Sequence, residues 1–180
     1  MPVPPFVAGQ ILTAAQLNTG AYRVASATAA ATATTLTVNN AFTTTYRHYR
    51  IYISGYSATA GNLTFQLTSS GTAAATSYYY NRTVLSYTVA NVTAQGSNTT
   101  NVLVGQLNNG ALAATSNLVI DVLDPYQIGT TGIFAANNYN TANAGTVYGG
   151  HLAAASYDGF KLTGAGNLTL NVSIYGLVGA

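Results

Sequence analysis

The chain has 180 residues, no cysteine and a net charge of +2. Only 4% of it is charged, against about 25% in a typical soluble domain. This excludes disulfides, thiolate chemistry and the clustered Lys or Arg that phosphate binding needs.

The N-terminal stretch PPFVAGQILTAAQLNTG, Pro4 to Gly20, differs from the rest of the chain. Thr13 is placed to cap a helix, with Gln16 three residues later closing a capping box. Leu12 and Leu17 suit a hydrophobic staple, and Asn18 and Gly20 are stop signals. Such a helix is about one turn long, and isolated helices below about 12 residues are marginal in water. It therefore needs a surface to grip, through Phe6, Val7, Ile11 and Leu17. That surface is either the chain's own domain or another protein.

The segment stands ahead of no membrane span, because no run approaches the roughly 20 apolar residues required. It also lacks the basic start of a signal peptide, and Pro4, Pro5, Gly9 and Gln10 interrupt it. The expectation is a protein made in a cytoplasm.

Residues 25–35, ASATAAATATT, are low in complexity and divided in propensity between helix and strand. They are expected to be a connector, leaving an arm over 1–24 and a domain over 36–180.

From there apolar and polar residues alternate with period two, the pattern of strands with one dry face. LTVN (Leu36–Asn39) is short. YRHYRIYIS (Tyr46–Ser54) puts Tyr49, Ile51 and Ile53 on one face and His48 on the other. NLTFQLT (Asn62–Thr68) alternates Leu63, Phe65 and Leu67 with polar residues. TVLSYTV (Thr83–Val89) and NVLVGQL (Asn101–Leu107) come next. SNLVIDVLD (Ser116–Asp124) is apolar on both faces at its centre, as an inner strand is. TGIFAAN (Thr131–Asn137), TVYGGHL (Thr146–Leu152), GFKLTG (Gly159–Gly164) and NLTLNVSIYG (Asn167–Gly176) complete the series. Gly and Asn between the runs supply hairpin turns. The prediction is an all-β, jelly-roll-like antiparallel β-sandwich, preceded by an arm with one helical turn.

The chemistry is sparse. Asp121, Asp124 and Asp158 are the only acids. Asp121 and Asp124, three apart on one strand, point to opposite faces, so a catalytic carboxylate pair is not expected. His48 and His151 are too few for a zinc site without further ligands. No enzyme activity, metal or cofactor is predicted, and no nucleic-acid partner. The N-x-[ST] patterns at Asn62, Asn81, Asn91, Asn98, Asn167 and Asn171 are what chance supplies in so Asn- and Thr-rich a chain. The 14 tyrosines stand out because Trp is absent and Phe numbers 5. Tyr78, Tyr79 and Tyr80 precede a predicted strand and place rings on alternate sides. They are candidates for a core edge, a subunit interface or a host-surface receptor site.

FVAGQILTAAQLN resembles the N-terminal signature of many tailed-bacteriophage virion proteins, roughly F-x-A-G-[DQ]-x-L-T-A-x-x-L-N. Phe6, Ala8, Gly9, Gln10, Leu12, Thr13, Ala14, Leu17 and Asn18 match. More loosely, YRHYRIYISGYSATAGNLTFQLTSSGTAAATSYYYNR is similar to the body of such proteins, and NVSIYGL to their closing strand through Tyr175 and Gly176. Ser69-Ser70-Gly71-Thr72 replaces the family's asparagine-glycine-aspartate turn.

The resemblance implies a virion structural module, often a homotrimer, assembled in the host cytoplasm. Its arm would dock on another virion protein of tail or capsid through Phe6, Val7, Ile11, Leu12, Thr13, Gln16, Leu17 and Asn18. A short tail fibre or host-attachment component is the leading expectation, with a capsid decoration protein as the alternative. A lectin-like module that binds a host surface glycan is a further one.

Overall fold

The computed structural model describes residues 21–86, 92–109, 116–140 and 143–177. Every anchoring residue of the predicted arm, Phe6 to Asn18, lies outside them, as does the predicted helical turn.

The described residues form two antiparallel sheets and no helix. In chain order the strands are β1 (Ala21–Ala30), β2 (Thr35–Val38), β3 (His48–Ser57), β4 (Gly61–Ser69) and β5 (Thr72–Ala73). Then come β6 (Tyr78–Ser86), β7 (Val92–Thr99), β8 (Val102–Leu107) and β9 (Ser116–Leu123). The last four are β10 (Gly129–Asn140), β11 (Asn143–Ala155), β12 (Gly159–Thr163) and β13 (Leu168–Leu177). The larger sheet has eight strands in the order β1-β13-β3-β9-β10-β11-β6-β7. The smaller runs β2-β12-β4-β5, with β8 pairing the first half of β4 on the same edge that β5 joins at its end. The chain crosses repeatedly from one sheet to the other, which gives the sandwich its jelly-roll-like character.

Alternation builds the core. On β3, Tyr49, Ile51 and Ile53 are buried. They meet Leu63, Phe65 and Leu67 of β4 and Phe160 and Leu162 of β12 in one cluster. Phe65 and Phe160 stack at 5.4 Å between ring centres, and Phe42 packs against Tyr49 at 4.8 Å. At roughly 1.5–3 kcal/mol for each large side chain removed from water, this cluster dominates the stabilisation.

Two expectations change. Residues 25–35 are not a connector over most of their length. Ala21–Ala30 is a strand, paired along β13 from Ala21↔Leu177 to Ala30↔Thr169. Ala25, Ala27 and Ala29 turn toward the core, where small side chains let the edge strand sit close. A ready ladder on β13 decides a propensity that is locally balanced. The link that remains is short, and it is held by Gly164 N→Thr34 O at 2.9 Å and Leu168 N→Ala33 O at 2.8 Å. Second, Tyr78–Tyr80 do not precede a strand; they begin β6. β5 and β7 carry no marked apolar period, so alternation alone does not reveal them.

Geometry demands glycine at residue 55. Gly55 in β3 has φ 150°, and a Cβ there would strike the carbonyl of Thr169 on β13.

Candidate functional site

The smaller sheet covers one face of the eight-stranded sheet. The other face has no described element packed over it. The register defines what it displays. Arg23, Tyr175, Arg50, Asp121, Phe134, Tyr148, Asn81 and Gln95 are successive cross-strand partners across all eight strands. Cross-strand partners share a face, so they form one continuous outward row. A second row, two residues along, contains Ser173, Tyr52, Val119, Ala136, Thr146 and Thr83.

This face holds most of the exposed large apolar side chains among the described residues. Tyr52, Tyr79, Leu85, Phe134 and Tyr148 are between 37% and 61% exposed. Phe134 and Tyr148, on adjacent strands, meet edge to face at 5.8 Å. Tyr52 and Tyr175 do the same at 5.6 Å, their planes 89° apart. Shallow clefts open on this face. One of about 390 Å³ is lined by Ala21, Arg50, Tyr52, Tyr175 and Leu177. Another of about 420 Å³ lies beside Leu85, Val119 and Ala136.

Charge on the face is nearly balanced. Arg50 is bonded to Asp121 through Nε to Oδ1 at 2.7 Å and Nη2 to Oδ2 at 2.9 Å. His48 Nε2 lies 3.3 Å from the same Oδ1. Burial pushes the Asp121 carboxyl up, but the Arg50 hydrogen bonds and charge, with His48, outweigh it and hold it below the usual carboxylate range. The hydrogen bonds that Arg50 donates to Asp121 raise the pKa of its guanidinium in turn. Arg23, on the edge strand, is exposed and makes no ion pair with a described residue.

All three acids are tied to structure. Besides the Arg50 pair, Asp124 accepts from Arg47 Nε at 2.6 Å at the mouth of the same two strands. Asp158 accepts from the Ser70 amide at 3.0 Å. Among the described residues no three metal-ligating side chains gather, and no helix is long and apolar enough to cross a membrane.

The tyrosine triplet divides by face. Tyr78 is fully buried, and its hydroxyl accepts from the Leu67 amide at 2.7 Å. Its ring meets His151 at 4.5 Å. This makes it a core residue. Tyr79 faces outward, its ring beside Gly150. Tyr80 is half-buried and lies across Gly96 of β7, where a Cβ would collide with its ring. Of the three, Tyr79 is the one that belongs to the uncovered face. Sequence reading missed Tyr52, Tyr175, Phe134 and Tyr148 as neighbours, because each stands on a different strand.

His151 is buried, its Nδ1 3.1 Å from the Tyr157 hydroxyl. Burial lowers its pKa, against hydrogen bonds with the backbone of Thr76 and Ala153. It is a packed interior histidine, remote in role from His48.

No protein-family model matches the chain, and no curated protein matches it.

Proposed function

We propose that this chain is a non-enzymatic structural protein of a bacteriophage particle, a β-sandwich that associates with copies of itself and is fixed to the particle by its N-terminal arm. A short tail fibre or other host-attachment component is the favoured form, and a trimer the favoured assembly. The observation that carries the reading is the uncovered face of the eight-stranded sheet. Its Leu85, Phe134 and Tyr148 side, around β6, β10 and β11, is apolar and open. Contiguous exposed apolar surface on a stable domain marks an association site. The low charge of the chain offers little repulsion against such contact. The arm signature at Phe6–Asn18 supplies the link to a virion.

With Asp121, Asp124 and Asp158 each engaged, no carboxylate is left in position for acid–base work, which supports a non-catalytic role. The compact block without a shaft in the described residues favours the second reading, a capsid decoration protein.

The test removes Met1–Gly20. The truncated chain is expected to fold and self-associate, yet fail to join particles in a complementation assay. Normal incorporation sinks the anchoring role. Averaged images of labelled particles separate tail from head.

A further inference from the structure

We propose that the cleft between β1, β13 and β3 binds a carboxylated sugar: a pyranose ring bearing one acidic group. This rests on the host-attachment form of the function above, but not on self-association, which uses the opposite side of the same face.

Two features line the cleft, and a third flanks it across Tyr175. The first is an aromatic corner. The Tyr52 and Tyr175 rings stand at 89° to each other, 5.6 Å apart, and both line the 390 Å³ cleft with Leu177. That volume lies in the range of small-ligand sites. A flat ring carrying C–H groups on one face and hydroxyls at its rim fits such a corner, because tyrosine offers an apolar plate with a polar tip.

The second is a fixed donor. Arg50 also lines the cleft, and Asp121 holds its guanidinium by two hydrogen bonds, which sets its plane. Two of its five N–H groups serve that pair, Tyr52 is a further hydrogen-bond partner, and the side chain remains 39% exposed. The donors left over, with the Tyr52 hydroxyl and the Asp121 oxygens, form an ordered set for sugar hydroxyls, with little ordering left to pay for on binding.

The third is charge. Arg23 stands directly across from Tyr175 on the edge strand, exposed. Two arginines against one aspartate leave this side of the face with one positive charge. A neutral sugar leaves that charge unused. A carboxylate reached by Arg23 makes a charge-assisted contact. Arginine beside an aromatic ring also suits a planar carboxylate.

The test is titration calorimetry on the full chain with sialyllactose and trigalacturonic acid, against lactose and maltotriose as neutral controls. At least one acidic probe is expected to bind and the neutral sugars to bind at least tenfold more weakly. Arg23→Ala is expected to weaken the acidic probe roughly tenfold or more, the scale of a lost charge-assisted hydrogen bond. Tyr52→Ala is expected to act similarly, with an unchanged thermal midpoint confirming its fold. Arg23 lies on an exposed edge, so its variant keeps the fold intact in any event. Silence from both acidic probes, equal binding of the neutral sugars, or full affinity in both variants overturns the proposal. Particle incorporation of Arg23→Ala is expected to be normal, so loss of sugar binding and loss of anchoring are separable results.

Discussion

Arg50 of β3 and Asp121 of β9 are 71 residues apart in sequence, yet joined by two hydrogen bonds of 2.7 and 2.9 Å. They are direct cross-strand partners in the middle of the eight-stranded sheet. A planar guanidinium facing a carboxylate in this way fixes both side chains at the centre of an otherwise weakly charged face.

Because Arg50 is more than a third exposed, solvent screening limits the energy of the pair. Asp121→Asn is expected to cost about 1 kcal/mol in urea unfolding. A double-mutant cycle with Arg50→Met is expected to give a coupling of about 0.5–1 kcal/mol. Additive losses mean the two groups do not support each other. The Asp121 carboxyl sits below its unfolded value. Its contribution is therefore full above the ordinary carboxylate pKa of about 3.9 and is lost as pH falls further.

Tyr78 and Tyr79 are neighbours in sequence with opposite fates. Tyr78→Phe leaves the buried Leu67 amide without its acceptor and is expected to cost about 1–3 kcal/mol. Tyr79→Ala on the outward face is expected to stay within about 0.5 kcal/mol. Equal losses in chemical denaturation refute the assignment of faces.

His151 makes stability depend on pH in a higher window than Asp121. Its native pKa is lowered by burial, so the unfolded chain takes up a proton first as pH falls. Stability is full above about pH 6.5 and declines as pH drops from there toward the native pKa. The loss amounts to about 1.4 kcal/mol for each pH unit of depression. His151→Gln is expected to flatten the unfolding midpoint between pH 7 and pH 5. A wild-type profile already flat in that interval contradicts the burial argument.

The two-residue alternation in Leu63–Leu67, Tyr49–Ile53 and Leu168–Ile174 already names the buried side of β4, β3 and β13. Side-chain direction in a strand is a local property, set by the backbone's own period. The same logic puts His48 opposite Ile51. Low charge and the small number of acids are likewise properties of the chain itself. Partnership lay beyond local reading. Ala21–Ala30 has no period strong enough to declare a strand, and becomes one because β13 offers a free edge. Val92–Thr99, built from small and polar residues, does so beside β6. Tyr52, Tyr175, Phe134 and Tyr148 are inconspicuous until register aligns β3, β13, β10 and β11.

Composition and periodicity thus determined that this chain is a β-sandwich with a polar, weakly charged exterior, because burying alternate residues needs no knowledge of distant segments. Only the tertiary structure decided which rings and charges stand together on the open face. Strand order and register join residues tens of positions apart, and hydrogen-bonded ladders form between whatever edges the folded chain brings into contact.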